Sequence, residues 1–154
     1  MKGKRIGRQT VQFSTPPVIR AAASVVGRKE GEGPLRDRFD SVSQDTYFGE
    51  KSWERAERRM QQMTLELALE KAGLTDADLD AAFAGDLLNQ CIGSSFSLRN
   101  RGVPTLGLYG ACSTMAESLL LAAMSVSGGY ARTALAMTSS HFASSERQYR
   151  FPLG

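Results

Sequence analysis

"LYGACSTMAESLLLAAMSVSGG", residues 108–129, decides how this chain is built. A short apolar run stops at Gly110, turns through Ala-Cys-Ser, and enters a segment with one charge, Glu117, between Ser113 and Ser127. Ala116, Ser118, Ala122, Ala123, Ser125 and Ser127 are small, while Leu119, Leu120, Leu121, Met124 and Val126 are apolar. Wound at helical spacing, these residues go round the whole cylinder. A helix that is apolar or small on all sides is buried on all sides. The stretch therefore predicts a helix over 113–127 with layers packed on more than one face, which is more cover than one thin layer of 154 residues readily supplies.

Cys112 falls at or just before the first turn of that helix. Unpaired backbone N–H groups and the positive end of the helix dipole favour a thiolate there, and a stabilised thiolate is a nucleophile. The same N–H groups can hold a carboxylate, and Ser113 and Thr114 add hydroxyl donors. The turn suits a covalent acyl-enzyme nucleophile, an anion cradle, or only a small buried side chain where the chain bends sharply.

Outward from this turn the chain alternates. "VPTLGLYG" (103–110) precedes it as a strand and "RTALAMTSS" (132–140) follows the helix as another. "AAFAGDLL" (81–88) is a strand running into Asp86, and "CIGSSFSLRN" (91–100) a short helix. Residues 53–72 form the clearest helix: Ser52 can cap it, Trp53, Ala56, Met60, Met63 and Leu67 share one face, and Gly73 supplies a left-handed stop. "LTDADLD" is a helical turn, "GRKEGEGPLRDRFD" (27–40) a loop, and "VIRAAASVVG" (18–27) a buried strand. This order predicts an α/β layered domain, with strands near 18–26, 81–86, 104–109 and 132–139 in one mostly parallel sheet.

Composition narrows the classes. Hydrophobic residues make up 42% and charged residues 23%, an ordinary globular balance. No apolar run is long enough to cross a bilayer, and no apolar signal core follows the basic N-terminus. Two cysteines, Cys91 and Cys112, make no disulfide framework and read as reduced cytosolic thiols. With one histidine, His141, they make no metal-ligand cluster, and no cofactor is called for. Residues 1–60 carry 13 Lys/Arg against 8 Asp/Glu, a net +5, and the rest carries −2. The basic front half is a solvated face, or one that favours an anionic ligand or membrane surface. It lacks the basic-plus-aromatic texture of a nucleic-acid platform.

"GACSTMAES" (110–118), on a strand-to-helix turn, resembles the nucleophile turn of the thiolase superfamily. "FAGDLLNQ" (83–90) and "TSSHFASSERQYRFPL" (138–153) are similar to the stage V sporulation protein AD family of spore-forming bacteria, as are "GPLRDRFD" (33–40) and "SWERAERRM" (52–60). The resemblance covers most of the chain. It implies a thiolase-like, layered α/β/α fold with a mostly parallel mixed sheet and the 113–127 helix buried at its centre. Residues 1–154 would be the N-terminal half of a duplicated fold, without the C-terminal half. It implies a sporulation protein that binds dipicolinic acid, with or without calcium, for uptake into the developing spore. Other stage V sporulation membrane proteins would be its partners, with a homodimer allowed, on the cytoplasmic side of the spore inner membrane and peripheral to it. The alternative is a thiolase- or ketoacyl-synthase-type acyltransferase using Cys112. That chemistry needs a histidine and a second polar partner from the other half of the fold, and His141 does not match the position.

The candidate ligand-binding residues are Asp86, Asn89, Gln90, Cys112, Ser113, Thr114 and His141. Asp86 either organises donors or an accompanying cation at a strand's C-terminal end, or caps the loop that follows. Asn89 and Gln90 either donate to a carboxylate or close the same loop. His141 is a ligand contact or a structural residue, and Cys91 is packing. Arg147 and Arg150 are anion partners or part of a surface segment.

Overall fold

The structure, a computed structural model, describes residues 3–145, apart from the side chain of Asn89. An exposed antiparallel hairpin, β1 (Lys4–Ile6) and β2 (Thr10–Gln12), comes first. Strand β3 (Val25–Gly27) leads through a short helix, α1 (Arg28–Gly31), and a helical turn at Arg36–Arg38 to β4 (Ser41–Ser43), which lies parallel to β3. Helix α2 (Trp53–Ala72) follows, then a turn at Asp76–Asp78 and strand β5 (Ala81–Gly85). A turn at Asn89–Cys91 opens α3 (Ile92–Leu98). Strand β6 (Thr105–Leu108), the Ala111–Ser113 turn, helix α4 (Thr114–Ser127) and strand β7 (Ala134–Thr138) complete the order.

Strands β6, β5 and β7 form a parallel sheet with β5 in the middle, so Phe83 lies beside Leu106 on one side and Ala136 on the other. Alternation along β5 divides the core. Ala82 and Ala84 meet Leu65 of α2, Leu98 of α3 and Met137 of β7 on one face. Phe83 meets Leu108 and Ala122 of α4 on the other. The result is three layers: α2 with α3, the sheet, and α4.

Helix α2 has its expected bounds for local reasons. Ser52 Oγ accepts from Arg55 N–H at 3.3 Å, and Gly73 ends the helix at φ 64°. Only glycine adopts that conformation without steric cost.

Three expectations fail. Residues 18–24 are not strand, and Val18 is 88% exposed; only Val25–Gly27 pairs, and with β4 rather than with the three-stranded sheet. Small apolar residues alone do not make a buried strand without a facing layer. Asp40, in the segment expected to be loop, accepts from Ser24 N–H at 2.8 Å and meets Lys71 Nζ at 2.8 Å. Those contacts hold β4 beside β3. Finally, α4 is not buried all round in this chain. Thr114, Ser118 and Ala122 face inward, and Met115, Leu119, Leu120 and Met124 are exposed. Its smallest side chains let the helix approach the sheet closely, and among the described residues no layer covers its far side.

Core position rather than hydrophobicity sets the cost of truncation. Leu65→Ala, at a site 1% exposed, should destabilise by about 2–5 kcal/mol. Leu120→Ala, at a site 50% exposed, should cost less than about 1 kcal/mol. Urea unfolding of the two variants measures both, and equal losses would contradict the placement of α4.

Candidate functional site

The C-terminal ends of β5 and β7 open onto a cleft of about 480 Å³. Val25 of β3, Gln61 of α2, Leu87 after β5, Cys112 and Met115 at the start of α4, and Ser139 after β7 are among its lining residues. The strand ends of a parallel α/β sheet are where such folds place ligands.

Cys112 is exposed on the rim, in the Ala111–Ser113 turn. Ala111 has φ 47°, a conformation that non-glycine residues seldom adopt. The turn is held from both sides. Ser113 Oγ donates to Gly110 O at 2.7 Å. Thr114, fully buried, donates to Ala111 O at 2.8 Å and accepts from Gly110 N–H at 3.1 Å. A side chain on Gly85 would put its Cβ 2.2 Å from Leu108 O and 2.5 Å from Thr114 Cγ2. The end of β5 approaches the cysteine turn this closely only because residue 85 is glycine.

Asp86 is completely buried. Its Oδ1 accepts from Leu88 N–H at 2.9 Å, and its Oδ2 accepts from Ser94 N–H at 2.7 Å and from the Ser94 hydroxyl. It closes the loop after β5 and anchors the start of α3. Among the described residues no group of three or more His, Cys, Asp or Glu is gathered for a metal ion. Gln90 and Cys91 have φ 57° and 51°. Gln90 is exposed; Cys91 is buried and donates to Leu108 O at 3.2 Å. Burial, then the nearby Asp86 charge, pushes the Cys91 thiol pKa up, which suits packing rather than reaction.

His141 Nε2–H donates to Thr46 O at 2.8 Å, and its ring lies 5.4 Å from that of Trp53. It fastens the segment after β7 to the loop before α2. Of the expected residues, then, Cys112 lines the cleft and Asp86 shapes the loop beside it. Gln90, Ser113, Thr114 and His141 are not among the lining residues. Arg147 and Arg150 lie outside the described residues.

Sequence reasoning missed the polar spine under the cleft. Glu57 and Gln61 of α2 are buried. Glu57 Oε1 accepts from Ser139 Oγ at 2.7 Å, and Oε2 lies 2.5 Å from Ser144 Oγ. Gln61 Nε2 donates to Ser139 Oγ at 2.6 Å and, more weakly, to Ser94 Oγ at 3.4 Å; Gln61 Oε1 accepts from Ser97 Oγ at 2.6 Å. Ser94 then leads to Asp86. Burial raises the Glu57 pKa above the usual glutamate value, and the charge of Asp86 adds to this, while Ser144, Ser139 and His141 oppose it. The available signal was positional: Glu57 and Gln61 stand four apart, beside Ala56 and Met60, inside the buried stripe.

The sequence pattern of the family described as Stage V sporulation protein AD matches residues 7–154. Stage V sporulation protein AD of Bacillus subtilis (strain 168) is 42% identical over 149 residues, which cover 97% of this chain and 44% of that protein. The chain belongs to the stage V sporulation protein AD family. It spans less than half the length of this curated relative. In this stage V sporulation protein AD family member the cysteine turn and the buried spine both reach the cleft, through Cys112 and through Gln61 and Ser139.

Two measurements test that geometry. Asp86→Ala would leave the N–H groups of Leu88 and Ser94 and one hydroxyl unpaired, at about 1–3 kcal/mol each. Urea unfolding should show a loss of at least about 3 kcal/mol, with Asp86→Asn intermediate. For Glu57 the folded pKa is raised, so the folded protein keeps a proton that the unfolded chain has released. That contribution is complete below the unfolded glutamate pKa and is lost as pH rises through the folded value. Melting temperature should fall across this window, and Glu57→Gln should flatten the fall.

Proposed function

We propose that this protein serves sporulation by binding dipicolinate for uptake into the developing spore, with the cleft beside Cys112 as part of the site. The observation that carries this is the position of Cys112. Its thiol is exposed on a cleft rim at a helix start, where backbone N–H groups favour an anion. A site for binding an anion needs shape and donors; an acyl-transfer site also needs a base. Among the described residues Glu30 is the one charged side chain lining the cleft, so the dianion needs compensating charge. Calcium bound with the ligand, or Arg147 and Arg150, would supply it.

In this reading the three layers are half of a thiolase-like fold, and the exposed side of α4 is the side its second half covers. No described helix is long and apolar enough to cross a membrane. The protein would act peripherally at the cytoplasmic side of the spore inner membrane, with other stage V sporulation membrane proteins as partners and as a homodimer.

Isothermal titration with dipicolinate, with and without calcium, tests the reading. Cys112→Phe should fill the rim and abolish binding. Ser113→Ala, which removes a hydroxyl bonded to Gly110 O outside the cleft lining, should weaken it much less. Mass measurement after incubation with an acyl-thioester covers the alternative: an acylated Cys112 with steady product release would make the protein an acyltransferase.

A further inference from the structure

Glu57 is fully buried, its described hydrogen-bond partners are the hydroxyls of Ser139 and Ser144 rather than a cation, and burial disfavours an anion there. Ser144 Oγ lies 2.5 Å from Glu57 Oε2 and 2.9 Å from His141 O. A serine hydroxyl has one proton, and a backbone carbonyl only accepts. Both contacts are good bonds when Glu57 Oε2–H donates to Ser144 Oγ and Ser144 donates to His141 O. The other buried carboxyl group, Asp86, accepts from three donors. Ser139, Gln61 and Ser94 connect the two, and Gln61 and Ser139 also line the cleft.

We propose that Glu57 is carried as the neutral acid and is a positioning residue of the cleft, and that its ionisation weakens binding of a dianion above it. The inference rests on the dipicolinate reading of the cleft. An ionised Glu57 would accept a hydrogen bond from the Ser144 hydroxyl, drawing it away from His141 O, and so loosen residues 139–145. It would also add a negative charge beneath a cleft that already has Glu30 on its lining. Asp86, from the loop after β5, and His141, after β7, are the charged or titratable groups acting on Glu57: the first favours the neutral acid and the second opposes it. Burial acts in the same direction as Asp86.

The test is dipicolinate titration of the wild-type protein and Glu57→Gln from mildly acidic to mildly alkaline pH, beside infrared difference spectra without ligand. Glutamine keeps an acceptor for Ser139 and a donor for Ser144. Wild-type affinity should fall about tenfold as Glu57 ionises, the effect of one added buried charge near an anion, and Glu57→Gln should keep the acid-side affinity throughout. The C=O stretch of a protonated carboxyl should appear in the wild type and be missing from Glu57→Gln. Equal pH dependence in wild type and Glu57→Gln, or no protonated-carboxyl band, overturns the inference. Failure of the wild type to bind dipicolinate at any pH instead removes the ligand reading and the charge effect tied to it, and the band alone then decides the neutral acid.

Discussion

The side-chain amide of Gln61 is the contact on which the arrangement of layers depends. Its oxygen accepts from Ser97 of α3, and its nitrogen donates to Ser139 after β7 and to Ser94. One residue of α2 therefore sets the helix against α3 and against the end of the sheet together. The apolar contacts nearby are with Ala82 and Ala84, whose small side chains give burial but little directional preference. A buried amide is costly if any partner is missing and selective if all are present. The polar spine therefore fixes which rotation of α2 about its axis is used, while the apolar core supplies the drive to pack.

Much of this was legible in the sequence because its causes are local. Helix α2 announces itself by Ser52, its apolar stripe and Gly73, and the structure has it at Trp53–Ala72. The strands around 81–85, 105–108 and 134–138 and the helix after Cys112 follow from runs and breaks that each segment carries. What failed depends on neighbours. Residues 18–24 have the composition of a buried strand and no partner strand among the described residues. Helix α4 has apolar residues all round, so its sequence cannot say which side faces the sheet. The choice falls to the row Thr114, Ser118 and Ala122, because small side chains permit the closest approach.

The site divides the same way. That Cys112 stands at a helix start could be read from Gly110 to Thr114. That Asp86 is wholly occupied by Leu88 and Ser94 could be only half read, since a strand-end aspartate also suits a ligand. Glu57 and Gln61 were illegible for a physical reason. Their partners Ser94, Ser139 and Ser144 are 33 to 87 residues away, and in a helix full of Arg and Glu a buried glutamate looks like a solvated one. A serine-poor interior would have left Glu57 without donors or acceptors and excluded it from the core.

Backbone strain marks where this rigidity is used. Gln90, Cys91 and Ala111 all hold positive φ, at about 1 kcal/mol or more each for non-glycine residues. They flank the end of β6, and each turn is tied to it or to itself: Cys91 to Leu108 O, Thr114 to Ala111 O and Gly110 N–H, Ser113 to Gly110 O. Gly85 lets β5 press against the same point. A turn restrained by so many short contacts holds Cys112 in one place before any ligand arrives. A ligand bound there, as proposed, would not have to order the turn, so the entropy cost of association would fall mainly on the ligand. Phe48 and Asn100 also hold positive φ, so the strain is not confined to the turns beside β6, while α2, whose amide sets the layers, keeps regular geometry throughout its length.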